Sequence, residues 1–195
     1  MAETMTWLIL GIVIFLGVHS VSIFAITWRD AMAARLGHAW RALYSLSAII
    51  GFMLIVYGYG LARLNPTVLY TPPIGFHYAS SVLMIFVFPL IFAAYLPGKI
   101  QSAMKHPMLV ATKTWAFAHL LSNGTVADVL LFGGFLAWAV ADRISMKRRQ
   151  PRKIPSLPSN PYNDIIAIAL GLIMFAAFLH VLHTRLIGMP IVLPR

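Results

Sequence analysis

Histidine is the residue type best suited to chemistry in this sequence, because the chain has seven histidines and no cysteine. Without cysteine, a disulfide, a thiolate nucleophile and a cysteine-ligated metal are all excluded. His19 and His119 lie inside long apolar stretches, where an ionisable side chain usually faces a partner, a cavity or a cofactor. Imidazole ligates haem iron well, and a haem held by two histidines needs no cysteine. Two interpretations stay open: haem ligation, or two unrelated histidines hydrogen-bonded to backbone carbonyls.

Residues near the two histidines could complete a haem site. Flat or apolar side chains that suit a porphyrin stand nearby in the sequence at Phe15, Trp115 and Phe117. The second ring nitrogen of each ligating histidine needs a hydrogen-bond partner. The candidates for that partner are a local backbone carbonyl and the side chains of Ser20, Ser22 and Asn123.

A second pair of histidines lies near the end of the chain. His180 and His183 are three residues apart and therefore share one face of an α-helix. As a metal site they would need a third ligand, and the alternative is a polar cap at the membrane interface together with Arg185. His38 and His77 are predicted to lie in solvated loops.

The composition identifies the elements that must position these side chains. Of 195 residues, 60% are hydrophobic and only 10% charged, and the mean hydropathy is +0.82. A soluble domain has about a quarter of its residues charged, so a soluble enzyme is excluded. We therefore predict a single all-α domain over residues 1–195, an integral membrane bundle.

About six apolar stretches could form the transmembrane helices. They are residues 7–27, 39–61, 75–96, 107–121, 125–141 and 163–184. Because the fourth and fifth are short, their joint at Ser122–Gly124 is predicted to lie within the bundle, against protein or a cavity. That would place His119, Ser122, Asn123 and Asp128 around an internal site. Asp128 itself could be a helix N-terminal anion or a proton relay.

The distribution of positive charge predicts the orientation. When the loops are assigned alternately to the two sides, twelve of the fifteen Lys and Arg residues fall on one side. Only Arg63, Arg185 and Arg195 fall on the other. By the positive-inside rule, both termini lie outside the cytoplasm, and the basic, Pro-rich loop 142–161 is cytoplasmic. The net charge of +10 then indicates membrane lipids and not nucleic acid as the partner.

Several segments resemble the NnrU family of bacterial membrane proteins over nearly the whole chain. They are GVHS at 17–20, RALYS at 41–45, KHP at 105–107 and WAFAHLLSNG at 115–124. NnrU proteins are associated with denitrification and nitric oxide metabolism. The zeta-carotene isomerases, which look like relatives, are haem b enzymes whose ligating histidines match His19 and His119.

The resemblance implies a haem b held between helices one and four by His19 and His119, with Ser20, Trp115 and Asn123 close by. A small gas or a polyene would be the ligand. The isomerase has a cysteine three residues before its second histidine, and this chain has Ala116 there. Ligand switching of that kind is therefore not available to this chain.

A second, weaker resemblance concerns His106. Lys105-His106-Pro107 is similar to the start of the Arg-His-Pro-x-Tyr-x-Gly motif with which membrane methyltransferases bind S-adenosylmethionine. The Tyr and Gly of that motif are replaced by Leu109 and Ala111. The motif's resemblance implies a cofactor contact at His106, whereas the alternative is a helix N-terminus, because Pro favours the first turn.

Three functions compete at this point. The first is a haem b protein of nitrogen-oxide respiration, and the second is a haem-dependent cis-trans isomerase of a polyene or lipid. The third is a methyltransferase-like protein or a non-catalytic scaffold. The sequence leaves open whether the chain is an enzyme, and it identifies no catalytic residue.

Overall fold

The computed structural model describes residues 2–150 and 155–188 and contains α-helices and two π-helical segments. The α-helices of the first half are α1 (Ala2–Phe24), α2 (Ile26–Leu36), α3 (His38–Ala62), α4 (Ile74–Ile85), α5 (Val87–Ala93) and α6 (Lys99–Met104). Those of the second half are α7 (Pro107–Ser122), α8 (Val126–Asp128), α9 (Gly134–Met146), α10 (Asn163–Ala177) and α11 (His183–Ile187). The π-helical segments are Val129–Gly133 and Phe178–Leu182.

Five stretches in the described part of the chain are long and apolar enough to cross a membrane. They are Met5–Phe24, His38–Ala62, Ile74–Ala93, Val126–Met146 and Asn163–Ile187. The prediction of an all-α membrane bundle is therefore confirmed. Helix α7 has only 16 residues, as expected of the short fourth stretch.

The fifth stretch corrects the sequence prediction. It was predicted to be short and to end at residue 141, but the helix runs over Val126–Met146, 21 residues, and is long enough to span. The reason lies at Asp142, which looked like a polar helix end. Its carboxylate is buried and accepts a hydrogen bond from the Arg149 guanidinium, so the helix continues through it.

Two further features of the secondary structure were not predicted. Short helices α2 and α6 lie between the predicted spans, and the third span is interrupted at Phe86. Pro89 explains the interruption, because a proline has no N–H to donate to the carbonyl four residues earlier and its ring clashes with that carbonyl. The prediction of loops at two histidines is also wrong, since His38 begins α3 and His77 lies in α4.

The chain divides into two compact units, Met1–Val68 with Thr125–Arg149, and Leu69–Gly124 with Gln150–Arg195. In the first unit, α1 packs closely on α3 through glycine. A Cβ at Gly11 would lie 2.5 Å from the Ile55 nitrogen, and one at Gly51 would lie 2.7 Å from the Phe15 nitrogen. A Cβ at Gly58 would meet the α1 backbone. Small residues let transmembrane helices approach in this way, and the approach fixes the stretch of α1 that carries His19.

In the second unit, α5 packs on α10 and the start of α10 holds α6. Gly171 of α10 lies against the Pro89 backbone, where a Cβ would clash. The Asp164 carboxylate accepts hydrogen bonds from the Lys99 and Ile100 N–H groups at 2.8 and 3.0 Å. These contacts satisfy backbone donors that the first turn of a helix leaves unpaired.

Protein covers part of the joint after α7, whereas its predicted depth within the bundle stays a prediction. Gly124 is buried, and its carbonyl accepts hydrogen bonds from the Leu69 and Tyr70 N–H groups at 2.7 and 3.1 Å. The Tyr70 hydroxyl donates to the Leu120 and Asn123 carbonyls at 2.5 and 2.8 Å. The carbonyls at the end of α7 thus find partners within their own unit.

Candidate functional site

His19 lies on α1 in a half-buried aromatic pocket of the first unit. Its Nδ1 is 2.6 Å from the Phe15 carbonyl oxygen, and its ring stacks on the Phe15 ring with centroids 4.3 Å apart. Tyr44 and Trp138 meet the His19 ring edge-on, at 5.3 and 5.9 Å between centroids. Three helices, α1, α3 and α9, therefore hold this imidazole in place.

The hydrogen bond to Phe15 fixes the tautomer of His19. A carbonyl oxygen can only accept, so Nδ1 must carry the proton and donate it. In the neutral ring, Nε2 then carries the lone pair, which is the form in which imidazole binds a metal. A local carbonyl, one of the partners expected for the second ring nitrogen, thus takes that role, while Ser20 lies half-buried beside His19.

Trp138 adds an unsatisfied donor to this pocket. Its indole Nε1 is buried and has no hydrogen-bond partner among the described residues. A buried N–H without a partner is costly, and such groups often mark the place of a water or ligand. A bound group that accepts a hydrogen bond beside His19 would satisfy Trp138.

A buried ion pair ties α9 to α1 in the same unit. Arg149 bonds the Asp142 carboxylate through Nη2 and donates to the Ser22 carbonyl through Nη1 at 2.7 Å. The two charged side chains are only 15% and 9% exposed. Because Ser22 is three residues beyond His19, this contact helps set the position of that histidine relative to Trp138.

His119 lies near the end of α7, in the second unit. Its Nδ1 is 2.8 Å from the Trp115 carbonyl oxygen, and its ring contacts the Trp115 ring at 5.2 Å between centroids. By the same reasoning as for His19, Nδ1 donates and Nε2 carries the lone pair. The predicted neighbour Trp115 is thus in contact with His119, whereas Phe117 is 48% exposed.

Polar side chains surround the C-terminal end of α7 beyond His119. Asn123 Nδ2 donates to the His119 carbonyl oxygen at 2.9 Å and to the Ser122 hydroxyl at 3.2 Å. Ser122 Oγ also lies 3.2 Å from Oγ of Ser80, which is buried in α4. Asn123 therefore caps the helix and holds the His119 backbone.

The two histidines share one local arrangement. In each, an aromatic residue four positions earlier supplies both a carbonyl acceptor for Nδ1 and a ring against the imidazole. The residues present therefore fit one imidazole ligand to haem in each unit. His19 lies in the first unit and His119 in the second.

Asp128 is a helix N-terminal anion, one of the two interpretations of the sequence. Its carboxylate accepts from the Thr125 N–H and hydroxyl, and the Thr125 hydroxyl accepts from the Asp128 N–H, which makes a capping box. The Tyr59 hydroxyl donates to the other carboxylate oxygen at 2.5 Å. Every one of these partners belongs to the first unit.

His106 is the N-cap residue of α7, with Pro107 at the first helical positions. This is the arrangement expected of a helix N-terminus, and a cofactor contact at His106 stays a prediction. The preceding Lys105 has a positive φ of 59°, a region that non-glycine residues seldom adopt. The backbone here makes a sharp turn between α6 and α7.

His180 and His183 are separated by a change of helix type, since His180 lies in the π-helical segment and His183 begins α11. His180 is exposed and His183 half-buried. Among residues 2–150 and 155–188, no three His, Asp or Glu side chains come together in a way that could hold a metal ion. A metal role for this pair stays a prediction.

Sequence reasoning missed Tyr44 and Trp138, the two other side chains around His19. Tyr44 stood within the RALYS segment, but nothing local tied it to a residue 25 positions earlier. Nothing in the sequence marked Trp138 as a neighbour of His19, because an aromatic residue in an apolar helix is common in any membrane protein.

Comparison with known proteins identifies the family of the chain. The family model described as NnrU protein matches residues 7–191, which is nearly the whole chain. No curated protein and no solved structure matches the chain.

Proposed function

Because the chain belongs to the NnrU family, we propose that it is a haem b-binding membrane protein of nitrogen-oxide metabolism. His19 and His119 are the residues that would ligate the haem iron, with Phe15 and Trp115 holding their rings. The proposed location is a bacterial inner membrane, with both termini periplasmic and the basic loops cytoplasmic.

The shared arrangement of the two histidines carries the proposal. Both imidazoles donate from Nδ1 to a carbonyl four residues earlier, and this leaves the Nε2 lone pair as the ligating one. When bound, haem b would supply a one-electron redox centre, at which a diatomic gas could bind in exchange for one of the two histidines. Phe15 and Trp115 restrain ring rotation, and Trp138 offers an N–H to a bound group.

An optical spectrum of the purified protein tests the proposal. Protein from haem-sufficient cells should show a Soret band that shifts on reduction, and nitric oxide should perturb the reduced spectrum. His19→Ala and His119→Ala should each lose most of the band, and added imidazole should restore part of it. His77→Ala is the matched control, since it removes a histidine of α4 to which no metal or haem role is assigned, and it should keep the band.

Two results would overturn this assignment. One is a colourless wild-type protein that still migrates as a folded species and takes up no added haemin. The other is full absorbance in both the His19→Ala and the His119→Ala variants, because the ligands would then be other residues.

A further inference from the structure

A cleft with basic side chains opens at one end of the first unit. It has a volume of about 680 Å³ and lies among the end of α1, helix α2 and the first turns of α3. The lining side chains that matter for binding are those of Arg29, His38, Trp40, Arg41 and Tyr44. We call this feature the basic cleft.

The charge of the basic cleft suits an oxyanion. Arg29 and Arg41 line it, and no Asp or Glu does. Arg29 pairs with Asp30 at 2.8 Å, but that carboxylate is 54% exposed and lies outside the lining. Guanidinium groups bind phosphate with two parallel hydrogen bonds, so a cleft lined by two arginines suits a phosphate group.

The position of the basic cleft fits a lipid. The span Met5–Phe24 ends and the span His38–Ala62 begins beside it, so it lies where two helices leave the apolar layer. Trp28 and Trp40 make an edge-on pair there, with centroids 5.6 Å apart. Tryptophans are typical of this level of a membrane, where headgroups meet acyl chains.

Apolar surface continues from the basic cleft along the same face of α3. Phe52 lies seven residues beyond Ser45 and eleven beyond Arg41, on the face that these two cleft residues share, and is 50% exposed. An acyl chain could lie along this face while its headgroup occupies the basic cleft. A free phosphate ion would use the arginines only.

We propose that the basic cleft binds the phosphate-bearing headgroup of an anionic membrane lipid. Arg29 and Arg41 bind the phosphate, and Trp40 packs against the glycerol region. The positive end of α3 adds to the attraction, since its N-cap residue Gly37 offers no side-chain cap. The site does not depend on haem, although Tyr44 both lines the basic cleft and contacts the His19 ring.

Native mass spectrometry of the full chain tests this assignment with phosphatidylglycerol and phosphatidylcholine. We expect one phosphatidylglycerol to be retained with saturable affinity and phosphatidylcholine to be retained far less. Arg41→Gln, at an exposed position, should weaken retention roughly five-fold, and the double variant with Arg29→Gln further. Circular dichroism of each variant checks that the helices remain.

Arg35→Gln is the matched control, because Arg35 lies on α2, carries the same charge and does not line the basic cleft. It should retain the lipid as the wild type does. Equal losses in Arg35→Gln and Arg41→Gln would mean diffuse attraction and overturn the site. Displacement of the lipid by inorganic phosphate at equal concentration would also overturn the lipid assignment, since the cleft would then be a site for the free ion.

Discussion

At the scale of single residues, each proposed ligand finds the acceptor that sets its tautomer on its own helix. His19 and His119 donate to carbonyls four residues earlier, which any regular helix would place within reach. The second constraint on His19 is tertiary, since Tyr44 and Trp138 come from other helices. A ligand held from two directions loses less entropy on binding a cofactor than one held by its own turn alone.

The buried ion pair near Ser22 gives a stability prediction. Asp142→Asn should lower the free energy of unfolding by about 3 kcal/mol, because it leaves the Arg149 charge buried without a counter-ion. Thermal unfolding in detergent, followed by circular dichroism, measures the change. Asp30→Asn is the control, since its pair with Arg29 is exposed and should contribute less than about 1 kcal/mol. Equal effects of the two substitutions would contradict this reading of the pair.

At the scale of elements, the approach of α1 and α3 depends on a face of small residues. The buried residues of α3 are Gly51, Ile55, Gly58, Tyr59 and Ala62, and their helical spacing makes one stripe in which Gly51, Gly58 and Ala62 are small. Glycine is required at Gly58 because the α1 backbone occupies the space where a Cβ would stand. Van der Waals packing of this kind replaces the hydrophobic effect between helices in lipid.

The packing of α3 on α1 leads us to expect opposite results for two similar glycine substitutions in α3. Gly58→Ala should destabilise the protein by about 1–3 kcal/mol, because the new methyl group overpacks the helix contact. Gly60→Ala should be neutral or stabilising by up to about 1 kcal/mol, since its Cβ meets nothing within 4 Å and alanine favours helix. The melting temperatures of the two variants in one detergent give the comparison. A loss at Gly60 as large as that at Gly58 would refute the packing argument.

At the scale of the whole molecule, the number of crossings decides the orientation of the later segments. Five stretches reach spanning length, whereas α7, with 16 residues, falls short. If α7 crosses, the basic residues before α7 and those after Val126–Met146 lie on the same side, as the positive-inside rule favours. If it does not, the segment before α10 changes side.

The absence of cysteine makes the orientation directly measurable. Single cysteines at the exposed positions Thr71, Ser102 and Ser159 can be labelled with a membrane-impermeant maleimide. In intact cells we expect labelling of Thr71→Cys only, and labelling of the other two only after permeabilisation. Labelling of Ser159→Cys in intact cells would mean that α7 does not cross. The wild type, which has no cysteine, is treated with the same maleimide and controls for its reaction with other side chains.

The sequence by itself determined the membrane class, most of the spans and the two candidate ligands. These properties depend on hydropathy and on residue type along one helix, which are local, so they can be read without a partner. The proline at position 89 was also visible, although the interruption it causes at Phe86 was not anticipated. The family resemblance, confirmed over residues 7–191, added the expectation of haem.

Only the tertiary structure decided what surrounds those residues. Arg149 donates a hydrogen bond to the Ser22 carbonyl, 127 residues away. Trp138 on α9 contacts the ring of His19 on α1. The basic cleft likewise combines the end of one span, a short helix and the start of another. No local sequence pattern predicts these contacts between distant residues. They depend on which helix faces pack together and on how closely the glycines let the backbones approach.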